Sequence, residues 1–387
     1  TLDTLALCAF NFRFNSFYQE GQHEFVDAML ESLIESSART KRPAVLNSAL
    51  VHRQRALDEA LDVIQRTTEE VVQKRKAMHA RGEQTPQDLL ERMLVSADPV
   101  TGEKLSDENI RYQLVTFLVA GHETTSGLLS YATHYLLDNP VAMKRLRDEV
   151  DEILEDRIPI FSDVARLTYT EQVLRESLRL SPTAPAFGVE AIEDTTLAGK
   201  WEVPAGSKFL LLLPEIHRDP RVWHKPEVFD PERFSPENIG KIPDRAWMPF
   251  GNGPRACIGS QFAMQEAKLA LSMLVQRFDL ERPAPYTLHE KEALTTKPAD
   301  LYVRAKKRRD VVQRNTTVST SASRAGKSEE TEITDAHQTP LLVLFGSNAG
   351  SAEAFARKLA ATGAARGWDA SAKSLDAQTG ELPDQGA

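Results

Sequence analysis

"FGNGPRACIGSQFAMQEAKLAL", residues 250–271, is the stretch on which the reading of this chain turns. It places Cys257, one of only two cysteines, between a glycine-containing loop and a run with helical periodicity. A helix starting just after Cys257 turns its positive end and its unpaired N–H groups toward the sulfur, which favours thiolate over thiol. Gly251 and Gly253 permit positive φ or a close backbone approach, so further amides can face the sulfur. Gly259 removes a side chain where something flat can lie against the helix. Arg255 supplies a fixed cation for a nearby anionic group. A thiolate, a flat neighbour and an anion together suggest haem, with Cys257 as axial ligand and Arg255 on a propionate. Taken by itself, a lone cysteine reads more simply as a small buried hydrophobe. Zinc lacks its ligand spacing, because neither Cys-x-x-Cys nor paired histidines stand nearby.

Bulk composition narrows the class further. A chain of 387 residues has room for one large core or for two or three domains. With 41% hydrophobic and 27% charged residues it reads as an ordinary globular protein. Its net charge of −9 argues against nucleic acid as a partner, since phosphate binding needs a basic face. Cys8 and Cys257 do not form a disulfide framework, which points to a reducing, cytoplasmic compartment. "FLLLLP" (209–214) and "LVTFLVA" (114–120) are too short to span a membrane, and a signal peptide is not expected. The chain opens "TLDTLALCAFNFRFNSFYQEG", without an initiator Met and apolar from its second residue, so it is expected to be a fragment that begins mid-fold.

Helical periodicity dominates residues 1–303. Residues 48–80 carry it with abundant i,i+4 charge pairs and predict a long half-exposed helix ended by Gly82. "TPQDLLERMLVSA" (85–97) predicts a shorter helix with Pro86 at an early position. Ser106 is the expected N-cap of the next helix, followed by Asp107 and Glu108, and Asn139–Pro140 stops it. In between, residues 110–137 are apolar nearly all round, so this helix is expected to cross the interior. "TLAGKWEVPAGSKFLLLL" (196–213) reads as a hairpin turning at Pro204–Gly206. Residues 304–339 are charged and rich in Ser and Thr, and read as a linker. Residues 340–387 open with an apolar strand, a small-residue loop and a helix, the start of an α/β domain.

Phe250, Gly251, Gly253, Arg255, Cys257 and Gly259 together resemble the haem-binding signature of the cytochrome P-450 family. "AGHETT" (120–125) resembles that family's oxygen-activating helix segment. The resemblance implies that Ala120 and Gly121 let a planar cofactor approach while the helix locally loosens. It implies that Thr124 hydrogen-bonds dioxygen and that Glu123 feeds protons toward it. The plainer alternative is a Thr bonded back to the preceding turn and Glu123 in a structural ion pair. Glu176 and Arg179 of "ESLR", with Arg233 of "PERF", correspond to a structural trio that holds the haem-binding core. Ala184 and Ala186 of "TAPAF" and Leu294 of "LTTKP" correspond to walls of the substrate pocket. The expected fold is mainly α with a small β part, followed by the start of a flavodoxin-like α/β domain.

The tail extends the resemblance to the self-sufficient P-450–reductase fusions, bacterial and fungal fatty-acid hydroxylases. In them NADPH electrons pass through FAD and FMN to haem. Ser347, Asn348, Ala349, Gly350, Ser351 and Ala352 stand where a strand meets a helix, the place of an FMN phosphate. This loop departs from the Thr-containing one usual in that family. The implied division is a haem domain at 1–303, a linker at 304–339 and the start of an FMN domain at 340–387. The implied activity is hydroxylation of a medium- or long-chain fatty acid by dioxygen at haem b, with FAD and NADPH bound beyond Ala387. A fragment of this kind is expected to be inactive alone. Rival readings are a haem-thiolate isomerase or peroxygenase, and a non-catalytic haem-binding sensor module.

Overall fold

The structure is a computed structural model that describes residues 1–16, 18, 21, 23–43, 46–47, 50–292, 295–308, 340–345, 351–364 and 368–374. The chain divides into two compact units, Thr1–Thr316 and Thr317–Ala387. In the first, the described helices are α1 (Leu2–Phe10), α2 (Glu24–Lys41), α3 (Val51–Ala80), α4 (Leu89–Val95), α5 (Asp107–Asp138), α6 (Pro140–Leu154), α7 (Phe161–Arg166), α8 (Thr168–Leu180), α9 (Leu213–Ile216) and α10 (Ser260–Arg277). Among them the short strands are β1 (Ala186–Glu190), β2 (Thr195–Leu197), β3 (Trp201–Val203), β4 (Lys208–Leu212), β5 (Phe278–Glu281), β6 (Glu290–Glu292), β7 (Thr296–Pro298) and β8 (Arg304–Lys307). A mainly helical fold with small sheets is therefore what the sequence builds. No helix among the described residues is long and apolar enough to cross a membrane.

α5 is the axis of this unit. Ser106 caps it as expected, its hydroxyl accepting from the N–H of Asn109 at 3.2 Å. The amino-terminal half buries Ile110, Leu114 and Leu118 in a core shared with α1, α2, α3 and α4. The carboxy-terminal half buries Leu128, Ala132 and Leu136 in a second core with α6, α8 and α10. The polar "AGHETT" segment thus falls at the seam between two apolar cores, where α5 can carry polar groups without emptying either.

Several expectations need correction. α5 runs unbroken from Asp107 to Asp138, so the segment at 120–125 is not loosened. A Cβ at Gly121 would come within 2.5 Å of Leu5 Cδ2, so the missing side chain admits α1, not a cofactor. Pro86 stands before Asp88, which caps α4 through the N–H of Glu91 at 2.9 Å. Charges on α3 pair across to neighbouring helices, as in Arg66–Glu24 at 3.0 Å and Lys76–Asp107 at 2.7 Å. The expected hairpin divides differently: β2 pairs with β3, and β4 pairs with β1. The β2–β3 hairpin turns at Ala198 and Gly199, both with positive φ (51° and 67°). The chain does turn at Pro204–Gly206, where Ser207 N–H donates to Pro204 O at 3.1 Å and Gly206 has φ 81°, but that turn leads to β4 without pairing it to β3. β5 pairs with β8, and Arg308 reaches Asp151 at 2.6 Å, so residues 304–308 belong to this unit and not to a linker. Residues 309–339 lie outside the described residues.

In the second unit β9 (Pro340–Phe345), α11 (Ser351–Ala364) and β10 (Asp369–Ser374) form a β-α-β arrangement with parallel strands. Ala356 and Ala360 are buried, one turn apart, and a Cβ at Gly363 would meet Leu341 Cδ2 at 2.7 Å. Small residues on this face of α11 let the helix sit tightly on β9.

Candidate active site

Cys257 closes a compact loop. Gly251 N–H donates to Met248 O at 3.0 Å, and the φ values of Gly251 and Gly253 are 73° and 66°. A residue with a side chain there would be strained by about 1–2 kcal/mol. Gly253–Arg255 make one 3-10 turn, Ala256 N–H donates to Gly253 O at 3.0 Å, and Cys257 N–H returns to Phe250 O at 2.8 Å. Phe250 anchors the loop in the second core, edge-on to Trp247 with ring centroids 6.2 Å apart.

α10 begins three residues after Cys257, with Gly259 as its N-cap. The thiol is exposed, and a Cβ at position 259 would stand 3.9 Å from its Sγ. Arg255 is exposed and has no ion-pair partner among the described residues. A free thiol, bare backbone beside it and an unengaged guanidinium are the donor set that a haem iron and a propionate take up, so these residues fit that cofactor.

On α5, Ala120 is exposed and Thr124 half-buried, one turn apart on the same face. Thr124 Oγ1 donates to Ala120 O at 2.6 Å. Glu123 is buried and looks elsewhere: its Oε2 accepts from Lys297 Nζ at 3.3 Å and from Thr295 Oγ1 at 3.4 Å. No hydrogen bond joins Glu123 to Thr124. The two side chains hold the arrangement of the plainer alternative: back-bonded threonine, ion-paired glutamate. His122 Nδ1 lies 2.6 Å from Thr1 Oγ1, and burial pushes its imidazole down. Burial likewise pushes the Glu266 carboxyl of α10 up.

The Glu176–Arg179–Arg233 trio is assembled and buried. Arg179 grips Glu176 with two bonds, Nε to Oε2 at 2.7 Å and Nη2 to Oε1 at 2.9 Å, and both side chains are 0% exposed. Arg233 Nε approaches Glu176 Oε1 at 3.4 Å, and Asp230 N–H donates to the same oxygen at 2.9 Å. Arg179 Nη1 continues to His217 O at 2.8 Å. His217 was not legible as a site residue: a single histidine in "PEIHRDP" has no periodic or spacing signal. Its Nε2 accepts from Met248 N–H at 2.9 Å, which leaves the ring proton on Nδ1. Burial pushes this imidazole down to about 4, so it stays neutral. The trio is thereby tied, through His217, to the first residues of the cysteine loop. Lys297, inside the quoted "LTTKP", was also missed as the partner of Glu123.

Ala184 and Ala186 are half-buried, at and before the start of β1. Their loop is bonded to β7, with Thr296 N–H donating to Thr183 O at 2.9 Å. Leu294, and Ser347, Asn348, Ala349 and Gly350, lie outside the described residues. Ser351 and Ala352 open α11.

Residues 1–304 match the family described as Cytochrome P-450. The chain is 44% identical over 391 residues to the bifunctional cytochrome P-450/NADPH–P-450 reductase 2 of Bacillus subtilis, covering 100% of this chain and 36% of that protein. It is 42% identical to a self-sufficient cytochrome P-450 monooxygenase of Phanerodontia chrysosporium, covering 100% of this chain and 37% of that one. The chain therefore spans little more than a third of the length of these relatives. Among solved structures, the cytochrome P-450DA heme domain superposes with a TM-score of 0.75 at 40% identity, over 80% of this chain and 66% of that one. With a P-450 match over most of its length and the exposed Cys257 at the head of α10, this chain belongs to the cytochrome P-450 family.

Proposed function

We propose that this chain is the haem-binding part of a monooxygenase that hydroxylates medium- or long-chain fatty acids in a reducing, cytoplasmic compartment. Cys257 is the axial ligand, Arg255 pairs with a propionate, and Phe250, Gly259 and Ala120 border the macrocycle. The observation that carries this reading is the exposed thiol of Cys257, in a loop closed by its own N–H on Phe250 O, at the head of α10. Haem, when bound there, supplies an iron that activates dioxygen with two electrons for insertion of one oxygen atom into a C–H bond.

The protein's own groups prepare the chemistry. Thr124 Oγ1 spends its proton on Ala120 O, which leaves its lone pairs facing the open side of α5 as acceptors. Glu123 relays protons from the half-exposed Lys297 ammonium, on the solvent side, toward that hydroxyl, and must turn away from Lys297 to do so. Ala184 and Ala186 leave an alkyl chain room beside the reacting position, and Leu294 is read as a further wall of that pocket. The haem-binding part is read as running through Arg308, with a connector to residue 339. Residues 340–387 are read as the start of a flavodoxin-like FMN domain, with the phosphate held at 347–352. The parallel β9–α11–β10 unit supports this last reading. Electrons then come from NADPH through FAD and FMN of a fused reductase, of the kind the relatives' names record.

The test supplies the haem-loaded protein with a P-450 reductase, fused or added, and with NADPH, palmitate and isotopically labelled dioxygen. Labelled hydroxypalmitate is expected. Product formed only from added peroxide, or an isomerised product without label, would favour the isomerase or peroxygenase reading instead. Haem binding without any product, also when the chain is tested within the whole protein it comes from, would favour a sensor.

A further inference from the structure

One face of α5 carries Glu123, Gly127, Tyr131 and Tyr135 at four-residue spacing, and each meets one of the two segments that flank the proposed substrate pocket. Glu123 holds Thr295 and Lys297 at β7. Tyr131 Oη donates to Glu290 Oε1 of β6 at 2.7 Å. Tyr135 Oη lies 2.7 Å from Ser181 Oγ, at the end of α8. The two segments are also bolted to each other: Thr296 N–H donates to Thr183 O at 2.9 Å and Thr296 Oγ1 to Pro182 O at 3.3 Å. Gly127 lies in the middle of the strip and is buried. A Cβ there would stand 2.9 Å from Thr183 Cγ2 and 3.2 Å from Thr296 O.

We infer that this strip sets how far the two pocket segments stand from α5, and that Gly127 is a specificity-determining position through its contact with Thr183. The inference rests on the fatty-acid reading above. Apolar carbons rest at about 3.5–4 Å, so a methyl group at 127 must push Thr183 outward by at least about half an ångström. Thr183 is itself buried, so turning its side chain aside would disturb the packing around it. Because Thr183 and Thr296 are joined, both segments move, and Ala184, the next residue, moves with them. A displaced wall is read most strongly by the longest chain that reaches it.

The experiment measures binding of laurate, myristate and palmitate by titration calorimetry to the haem-loaded protein, as wild type, Gly127→Ala, Thr183→Ser and the double variant. Gly127→Ala is expected to weaken palmitate relative to laurate by about four-fold, the worth of one buried methylene. Thr183→Ser removes Cγ2, so the double variant should return the ratio to its wild-type value. If Gly127→Ala alone does not fold, a folded double variant with the wild-type ratio still supports the inference. An unchanged ratio in Gly127→Ala, or a double variant that fails to restore the ratio or to fold, overturns it. A wild type that binds none of the three acids removes the fatty-acid reading itself, whereas an unchanged ratio in a protein that binds them removes the inference alone.

Discussion

Glu176→Ala puts the structural cluster under direct test. The carboxylate accepts four hydrogen bonds, two from Arg179 and one each from Asp230 N–H and Arg233. Removing it strands a guanidinium whose side chain is 0% exposed, leaving it the carbonyls of His217 and Val228 and the face of Trp223, 5.2 Å away, but no anion. Breaking a buried pair from one side costs about 3–5 kcal/mol, against a typical total stability of about 5–15 kcal/mol. An exposed comparison is Asp148→Ala, which breaks the Lys144 pair at 2.6 Å with side chains 76% and 62% exposed. Such a pair is worth about 0–1 kcal/mol. Urea unfolding of the haem-loaded protein, followed by far-ultraviolet circular dichroism, measures both. Because Arg179 reaches His217, and His217 reaches Met248, the Glu176 variant should also lose haem at lower urea than the wild type. A loss below about 1 kcal/mol for Glu176→Ala, no larger than for Asp148→Ala, would refute the assignment of a buried structural cluster.

The neutral His217 makes stability depend on pH. The unfolded imidazole takes a proton near 6.5, whereas the folded one resists until about 4. Stability is therefore level above pH 6.5 and falls between 6.5 and 4, by about 3 kcal/mol in all. His217→Gln keeps an acceptor for Met248 N–H but cannot titrate, so its urea midpoint should fall less over that window; equal slopes would refute the claim. Gly251→Ala, at φ 73°, should lose about 1–2 kcal/mol in the same assay. Gly240→Ala, in open space, should stay within about 0.5 kcal/mol. A double-mutant cycle with Glu123→Gln and Lys297→Met should give a coupling of about 1–2 kcal/mol, between surface and buried values because Lys297 is 36% exposed.

What could be read in the sequence is what local chemistry decides. α5 was legible at both ends because Ser106 and Asn139–Pro140 act within a turn of where they stand. The cysteine loop was legible because its glycines, arginine and thiol are neighbours in the chain. Misreadings arose where a distant partner decides. Gly121 looked like room for a cofactor, but Leu5 of α1 fills it. Pro204–Gly206 looked like the hairpin tip, but β4 finds β1 while Ala198 accepts a left-handed conformation unusual for a residue with a side chain. His217 matters through Arg179, 38 residues away, and Met248, 31 residues away, and Lys297 through Glu123, 174 residues away. The basic run at 304 suggested a linker, yet Arg304 and Lys306 find Glu281 across the β5–β8 pair.

The thiol at position 257 is the hinge of the whole account, and one spectrum tests it. The haem-loaded protein is reduced under carbon monoxide, as wild type and as Cys257→Ser, and the Soret region is recorded. The wild type should show the long-wavelength band of thiolate-ligated haem, and the serine variant should lose it while Arg255→Gln keeps it. A Cys257→Ser protein that retains the band, or a wild type that never shows it, would contradict the assignment.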